Sequence, residues 1–220
     1  MTYNHINLRK FFVTWLSIHE TVSHSMDEKD LVQQVVQHNN HEAFSILVER
    51  YQKMVITTCM GFLGNFHDAE DIAQDVFVEL YESLPEFRNE AKLSTWLYRI
   101  AVNKSLNFLR RKKRETFLQN FLGNRKKDRA EQTLDEIIGN QQTDSNIELR
   151  EQHKQLRHAM GMLPENQRIA LVLSTYHELS YKEIAEVMET SVSSVESLLF
   201  RAKNNLRKIM VKTKPKKRNG

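Results

Sequence analysis

Apolar residues recur at i, i+3, i+4 and i+7 through most of this chain, the spacing that gathers side chains on one face of a helix. Alternating Val, Ile and Thr runs, which would signal strands, are scarce. The pattern predicts a short helix from Asp27 to Val36 with Leu31, Val32, Val35 and Val36 inward, closed by a break and cap at Asn39-Asn40. His41 to Phe62 follows as a long amphipathic helix carrying Phe44, Leu47, Val48, Tyr51, Val55, Cys59 and Phe62, with Gly61 and Gly64-Asn65 at its end. A third helix opens at His67 or Asp68 and runs to about Leu84, with Ile72, Ala73, Val76, Phe77, Leu80 and Leu84 as its apolar face; Pro85 stops it. Glu86 to Leu93 is a polar loop leading into a fourth helix, Ser94 to Arg114. Glu115 to Asn146 has no sustained period and reads as a partly helical linker. From Ile147 the period returns: Leu149, Leu156, Ala159, Met160 and Leu163 line a helix ended by Pro164, and E-N-Q-R-I-A-L-V-L-S-T-Y makes the next.

The segment after that carries the sharpest local signal. In L-S-Y-K-E-I-A-E-V-M-E-T-S-V-S-S-V-E-S-L-L-F-R-A-K, Ser180 with Glu183 and Ser193 with Glu196 have the spacing of capping boxes. Between them lies a tight connection, Glu189 to Val192. Ala185 is small where two helices must cross closely, and Ile184, Val187, Val192, Val195 and Leu199 are placed to fill the corner. This is a helix-turn-helix pattern, whose second helix presents its N-terminal end to a DNA major groove. Ser194, Glu196, Ser197, Phe200, Arg201 and Lys203 are its candidate contacts.

The fourth helix is unusual in its surface. At about 100° per residue, Leu97, Tyr98, Ala101, Val102, Ser105, Leu106, Phe108 and Leu109 cover its broad side. A narrow stripe remains, with Trp96, Arg99, Asn103, Asn107, Arg110 and Arg114 at three- and four-residue steps and no acid. Guanidinium groups suit phosphates, side-chain amides suit base edges and an indole suits stacking, so the stripe fits a nucleic-acid reader. An ordinary core helix with a solvated strip fits the same periodicity, and Trp96 itself fits either core or stacking platform. The loop before it places amides and positive charge at a helix N-terminus, where an unstacked base could lodge.

Composition sharpens the division of surfaces. Of 220 residues 40% are hydrophobic and 27% charged, enough for cores, and only 6 Gly and 3 Pro interrupt the helices. The net charge of +4 is modest but segregated: Asp68 to Glu90 is rich in acids, whereas Arg99 to Arg114 and Phe200 to Gly220 contain none. On the third helix Asp68, Asp71, Gln74, Asp75, Glu79 and Glu82 share the outer face. The helix dipole favours the first of these but not those beyond the first turn; the face is either merely solvated or a docking surface for a basic partner. The single cysteine, Cys59, excludes a disulfide framework and a cysteine-based zinc site, and no cofactor is expected. His38-Asn39-Asn40-His41-Glu42 is not H-E-x-x-H, the other histidines are scattered, and no Gly-rich phosphate loop or nucleophile elbow occurs, so an enzyme is not expected. No stretch reaches the roughly 18 apolar residues of a membrane span. The run N-L-R-K-F-F-V-T-W-L-S-I has no small-residue cleavage site after it, and Met26-Asp27-Glu28 looks like a fresh beginning, so residues 1–25 read as an appendage, disordered or from an upstream start codon.

D-A-E-D-I-A-Q-D-V-F, F-R-N-E-A-K-L-S-T-W-L-Y-R-I-A-V-N, L-P-E-N-Q-R, L-S-Y-K-E-I-A-E-V-M and V-E-S-L-L-F-R-A-K, in that order, resemble the extracytoplasmic-function (ECF, group IV) sigma factors of bacterial RNA polymerase over about Met26 to Met210. The resemblance implies an all-α chain of two small helical domains joined by a flexible linker: a region 2 bundle at 26–114, a linker at 115–146, a region 4 helix-turn-helix at 147–212 and a basic tail at 213–220. It implies that Asp71, Gln74 and Asp75 dock on the β′ clamp helices of core polymerase. Phe87, Arg88, Asn89 and Lys92 of the loop, with Asn103, would capture a flipped base of the −10 element, and Arg99, Lys104, Arg110 and Arg111 would hold phosphates nearby. Region 4 would read the −35 duplex through Ser194, Glu196, Ser197, Phe200, Arg201 and Lys203 and touch the β flap. A cytoplasmic initiation factor held by an anti-sigma factor, often membrane-anchored, is the implied biology. Glu196 stands where the family often has Lys or Arg, Leu198 where it often has Arg, and Asn89 where it often has Gly. Glu196 either closes the capping box or accepts from a cytosine amino group. The alternative to a sigma factor is a free-standing helix-turn-helix regulator that binds paired half-sites on duplex DNA without polymerase.

Overall fold

A computed structural model describes residues 27–88, 90–121 and 154–213; the expected extension at 1–25, Leu149, most of the linker and the basic tail lie outside the described residues. The elements are α1 (Glu28–His38), α2 (His41–Leu63), α3 (Phe66–Ser83), a 3-10 turn (Leu84–Glu86), α4 (Leu93–Phe121), α5 (154–161), α6 (Glu165–Tyr176), α7 (Tyr181–Val187) and α8 (Val192–Thr213). No strand occurs among the described residues. They fall into two compact units that divide between Leu47 and Val48.

In the first unit α1 buries Leu31, Val32 and Val35. Val36, expected inward, is 41% exposed; one helical step from Val35 turns it about 100° off the buried face. Asn39 adopts the left-handed conformation (φ 50), and the Asn40 N–H reaches back to the Gln34 carbonyl at 3.3 Å. The Asn40 side chain then caps α2, accepting from the Glu42 and Ala43 N–H groups at 3.0 and 3.2 Å. Two asparagines thus stop one helix and start the next, as the sequence indicates.

In the second unit α3 packs on α4. Asn65 caps α3 by accepting from Asp68 N–H at 2.9 Å, which puts the helix start at Phe66 rather than His67 or Asp68. Ala69, Ile72, Ala73, Val76, Phe77 and Leu80 are buried on one side of α3, facing a helix that buries Leu93, Leu97, Tyr98, Ala101, Val102, Ser105 and Leu106. Phe108 and Leu109, expected on the same broad side, are half-buried. α4 does not end at Arg114: nothing between there and Phe121 breaks a helix, and it continues with Phe117, Leu118 and Phe121 exposed.

Helix α6 buries Gln167, Ile169, Ala170, Leu171, Val172 and Leu173, nearly its whole circumference. Such a helix belongs between other elements. It packs on α7 and α8, and Asn205 donates to Gln167 Oε1 at 2.9 Å to satisfy the buried amide. On its other side Val172 and Tyr176 meet Gly61 of α2: a Cβ at position 61 would lie 2.6 Å from Val172 Cγ1. Gly61 is therefore not a helix terminator but the point of close approach. Gly64, at φ 63, is the residue that ends α2. In α5 Ala159 is buried, whereas Leu156, expected to line that helix, is 39% exposed.

Candidate nucleic-acid interface

The helix-turn-helix is formed by α7, the turn 188–191 and α8. The capping box at Ser180 is complete: Ser180 N–H donates to Glu183 Oε2 at 3.0 Å and Glu183 N–H to Ser180 Oγ at 3.3 Å. Those Ser180 bonds, followed by the charge of Lys92, hold the Glu183 carboxyl below the usual carboxylate range. The second expected box does not form. α8 begins at Val192, so Ser191 is its cap, accepting from Ser194 N–H at 3.2 Å. Ser193 and Glu196 therefore lie inside the helix, and Glu196 is exposed there. Its carboxylate is not a cap, because the cap sits two residues earlier than the Ser-Glu spacing suggested. The same shift turns Val192 outward, 45% exposed rather than filling the corner. The corner is filled by Ile184, Ala185, Val187, Val195, Leu199 and Ala202. The turn is closed by Thr190 N–H donating to Ala185 O at 3.0 Å, with Glu189 at φ 51.

Of the expected −35 contacts, Glu196, Ser197, Phe200, Arg201 and Lys203 are exposed and Ser194 is half-buried. Phe200 is 70% exposed, an unusual state for phenylalanine. Arg201 is steadied by its own helix, Nε donating to the Ser197 carbonyl at 3.1 Å.

On α3, Asp71 and Asp75 are exposed and Gln74 is half-buried, so the three lie along the solvent side of the helix. The flanking acids are engaged: Glu79 pairs with Lys104 at 2.6 Å and Asp68 with Lys112 at 3.2 Å. Lys104, expected to hold phosphate, is thus drawn toward the acidic helix. Arg111 lies near Glu115 at 3.8 Å and over the Phe108 ring at 5.6 Å.

The stripe on α4 is as the periodicity predicts: Asn103, Asn107 and Arg110 are exposed, Trp96 and Arg99 half-buried. Phe87 meets Trp96 edge-on, centroids 5.0 Å apart, so the loop's aromatic residue is anchored to the stripe. Arg88 and Lys92 are exposed beside it; Asn89 lies outside the described residues. Arg99 and Asn103 line a cleft of about 230 Å³ with Asn166, Ile169, Val187, Met188 and Glu189. The far wall of that cleft belongs to the helix-turn-helix. Arg99 Nη2 donates to the Glu186 carbonyl at 2.6 Å and Nη1 pairs with Glu189 Oε1 at 2.8 Å. Arg110 pairs with Glu165 at 2.5 Å and Lys92 with Glu183 at 3.6 Å.

Behind this polar seam lies a contact that sequence reasoning missed. His177 packs edge-on against Tyr98, centroids 4.9 Å apart, with Nε2 2.9 Å from Thr58 Oγ1. The Thr58 hydroxyl donates to the Met54 carbonyl at 2.8 Å, so His177 Nε2 is the donor to Thr58. Burial lowers the His177 pKa to about 4 and raises that of Tyr98 to about 12, with the Glu183 charge adding to the latter. Cys59, also buried, is raised to about 11 by desolvation and is an inert core thiol. Only a pairing signal between distant positions could have revealed His177. Among the described residues no His, Cys, Asp and Glu side chains gather as a metal site, and no helix is long and apolar enough to cross a membrane.

Residues 47–115 match the family model for Sigma-70 region 2, and residues 153–206 that for Sigma-70 region 4. The chain is 32% identical over 174 residues to the ECF RNA polymerase sigma factor SigW of Bacillus subtilis, covering 79% of this chain and 91% of that protein. It is 33% identical over 186 residues to the ECF RNA polymerase sigma-E factor of Escherichia coli K12, covering 83% and 93%. Among solved structures it resembles CnrH in complex with the cytosolic domain of CnrY, with a TM-score of 0.58 at 22% identity over 84% of this chain and 98% of that one. The sigma factor RpoE of Bartonella quintana, solved with the anti-sigma factor NepR, gives 0.52 at 19% identity over 78% and 98%. At those identities the structures speak for the fold, and the curated relatives speak for descent. The acidic α3, the basic amide-bearing stripe of α4 and the helix-turn-helix thus occur in the family's order, and the chain belongs to the extracytoplasmic-function sigma factors of RNA polymerase.

Proposed function

We propose that this protein joins bacterial core RNA polymerase in the cytoplasm, recognises the −10 and −35 elements of its promoters and promotes strand opening. The observation that carries this is the presence, on one chain, of both a helix-turn-helix and a separate helix with one basic, amide-bearing stripe. A free-standing regulator has use for the first and not for the second. Asp71, Gln74 and Asp75 dock on the β′ clamp helices, which accounts for acids on α3 beyond the reach of its dipole. Phe87, Arg88, Asn89, Lys92 and Asn103 capture an unstacked −10 base, and Arg99, Lys104, Arg110 and Arg111 hold the adjacent phosphates. Ser194, Glu196, Ser197, Phe200, Arg201 and Lys203 meet the −35 duplex. Glu196, freed from capping, accepts from a cytosine amino group, and region 4 also touches the β flap. Residues 26–114 act as region 2, 115–146 as linker and 147–212 as region 4. An anti-sigma factor withholds the protein until its signal arrives. The protein initiates transcription and catalyses no reaction of its own.

Two substitutions separate the roles. Asp75→Arg is expected to weaken binding to core polymerase at least tenfold. Asn103→Ala is expected to leave that binding unchanged and to lower promoter opening, read by permanganate reactivity of unpaired thymines. If both variants initiate like the parent, the residue assignment is wrong.

A further inference from the structure

Past Leu109, helix α4 buries nothing: residues 110–119 and Phe121 are all exposed. The helix is sustained there by local contacts, among them the Arg111–Glu115 pair at 3.8 Å. Yet this arm carries Phe117, Leu118 and Phe121, which are 69%, 54% and 79% exposed. Packing among the described residues gives no reason for large apolar side chains on it, and such a cluster left in water marks a contact with something else.

The bearing of these side chains on the helix points to what they meet. Phe117 lies 18 residues after Arg99, and Phe121 lies 18 after Asn103. That spacing is about five turns, so each ring stands in line with a member of the −10 stripe. Arg110 and Arg114, each seven residues before one of the rings, lie within about 20° of the same lines. Glu115, the one acid between Arg99 and Phe121, lies about 120–160° round the helix from them. Lys113 and Arg114 are exposed and pair with no acid among the described residues. The stripe thus runs on, along one side of one helix, from amides to cations to aromatic rings.

We propose that Phe117 and Phe121 form a stacking subsite for unpaired DNA, blind to sequence, with Lys113 and Arg114 holding the phosphates that lead to it. The proposal rests on the reading of the stripe as the −10 reader and carries the strand about 21–27 Å along the helix beyond Asn103. Rings at i and i+4 stand about 6 Å apart along the axis. A base held between two partners needs about 6.8 Å, twice the 3.4 Å step of a strand, so one base fits between the two phenylalanines. A bilayer asks for a different arrangement, because a helix lying among headgroups keeps its cations on the face opposite its rings. Here cations and rings share a face, as suits a strand that offers phosphates and bases together. Stacking at this end holds melted DNA whatever its sequence, so an open promoter draws stability from outside the −10 element.

The test uses the full chain and fluorescein-labelled oligothymidine, 20 nucleotides long and without a −10 element, read by anisotropy. Phe117→Leu and Phe121→Leu keep the apolar bulk and remove the ring. Each is expected to weaken binding about fivefold, the low end for one stacked base, and to leave the salt dependence unchanged. Arg114→Gln is expected to make the slope against salt shallower by about 0.7. Phe121→Trp is expected to bind like the parent, with its added indole emission quenched by the oligonucleotide. Circular dichroism confirms that each variant is folded. Parental affinity in both leucine variants, or no binding by the parent, overturns the proposal. So does flotation of the parent with phosphatidylglycerol vesicles that is lost in the Phe117→Ser, Phe121→Ser double variant while oligothymidine binding is kept. Reconstitution with core polymerase runs alongside: absence of transcripts with the parent defeats the functional reading, while the stacking subsite is decided by the anisotropy.

Discussion

Moving the cap of α8 from Ser193 to Ser191 separates two properties that the sequence ties together at Glu196. If Ser191 is the cap, Ser191→Ala leaves the Ser194 N–H without its 3.2 Å acceptor. Loss of a serine cap typically costs about 1 kcal/mol, within a range of roughly 0.5–2. The Ser191 hydroxyl also lies 2.8 Å from Ser194 Oγ and 3.1 Å from Ser193 Oγ. Those neighbours are exposed or half-buried and can turn to water, so the middle of the range applies. One kcal/mol is a factor of about five in the local opening equilibrium at 25 °C, so the Ser194 amide should exchange its hydrogen about fivefold faster. Glu196→Ala removes an exposed carboxylate past the first turn and should stay within about 0.5 kcal/mol of the parent. Its effect should appear instead in selection of −35 duplexes from a randomised pool by the holoenzyme, as a relaxed preference at one position worth about 1–3 kcal/mol. Native-state hydrogen exchange on the three proteins decides the first half. If Glu196→Ala frays the start of α8 as much as Ser191→Ala does, the cap is misplaced and the case for Glu196 as a base contact goes with it.

Acidification should loosen the packing around His177. Its pKa falls from 6.5 to about 4 on burial, so between those values the unfolded chain binds more protons and stability rises with pH. The stabilisation is complete above about pH 6.5 and lost as pH falls through about 4; the shift sets a ceiling of about 3 kcal/mol, which solvent at a half-buried ring reduces to about 1–2. Urea midpoints at pH 7 and 4.5 should therefore differ less for His177→Gln than for the parent, and an identical pH dependence would contradict the assignment. Gly64→Ala should cost about 1–2 kcal/mol, because φ 63 disfavours any Cβ and this one would lie 2.5 Å from Arg157 Nε; an unchanged denaturation midpoint speaks against that geometry. Ile184→Ala, at a fully buried corner position, should cost about 2–4 kcal/mol and abolish −35 binding while circular dichroism still reports most of the helix.

Much of this fold is legible because helix periodicity and caps are local. The apolar face of α3, the stripe of α4 and the Ser180 box all follow from residues within a turn or two of each other. Where local rules compete, the sequence misleads by small offsets. Ser191 and Ser193 both precede a helix-forming run, and only the backbone decides between them. Leu93 to Phe121 holds no breaker, so α4 runs past Arg114 into the stretch whose polar surface reads as a partly helical linker. The contacts between the stripe and the acids of the second module were not legible at all. Arg99 meets Glu189, Arg110 meets Glu165 and His177 meets Thr58 across long stretches of chain, and no spacing rule links them. Family resemblance supplies roles for single residues but is silent on such pairings within one chain.

As a sigma factor, this chain directs RNA polymerase to promoters. The most direct measurement is transcription in vitro from genomic fragments of its own bacterium by purified core polymerase, with and without the protein. Discrete transcripts are expected, present only when the protein is added, whose starts share one −10 and one −35 sequence. The same transcript pattern from core enzyme alone and from core enzyme with the protein, together with no association of the two by gel filtration, would contradict it.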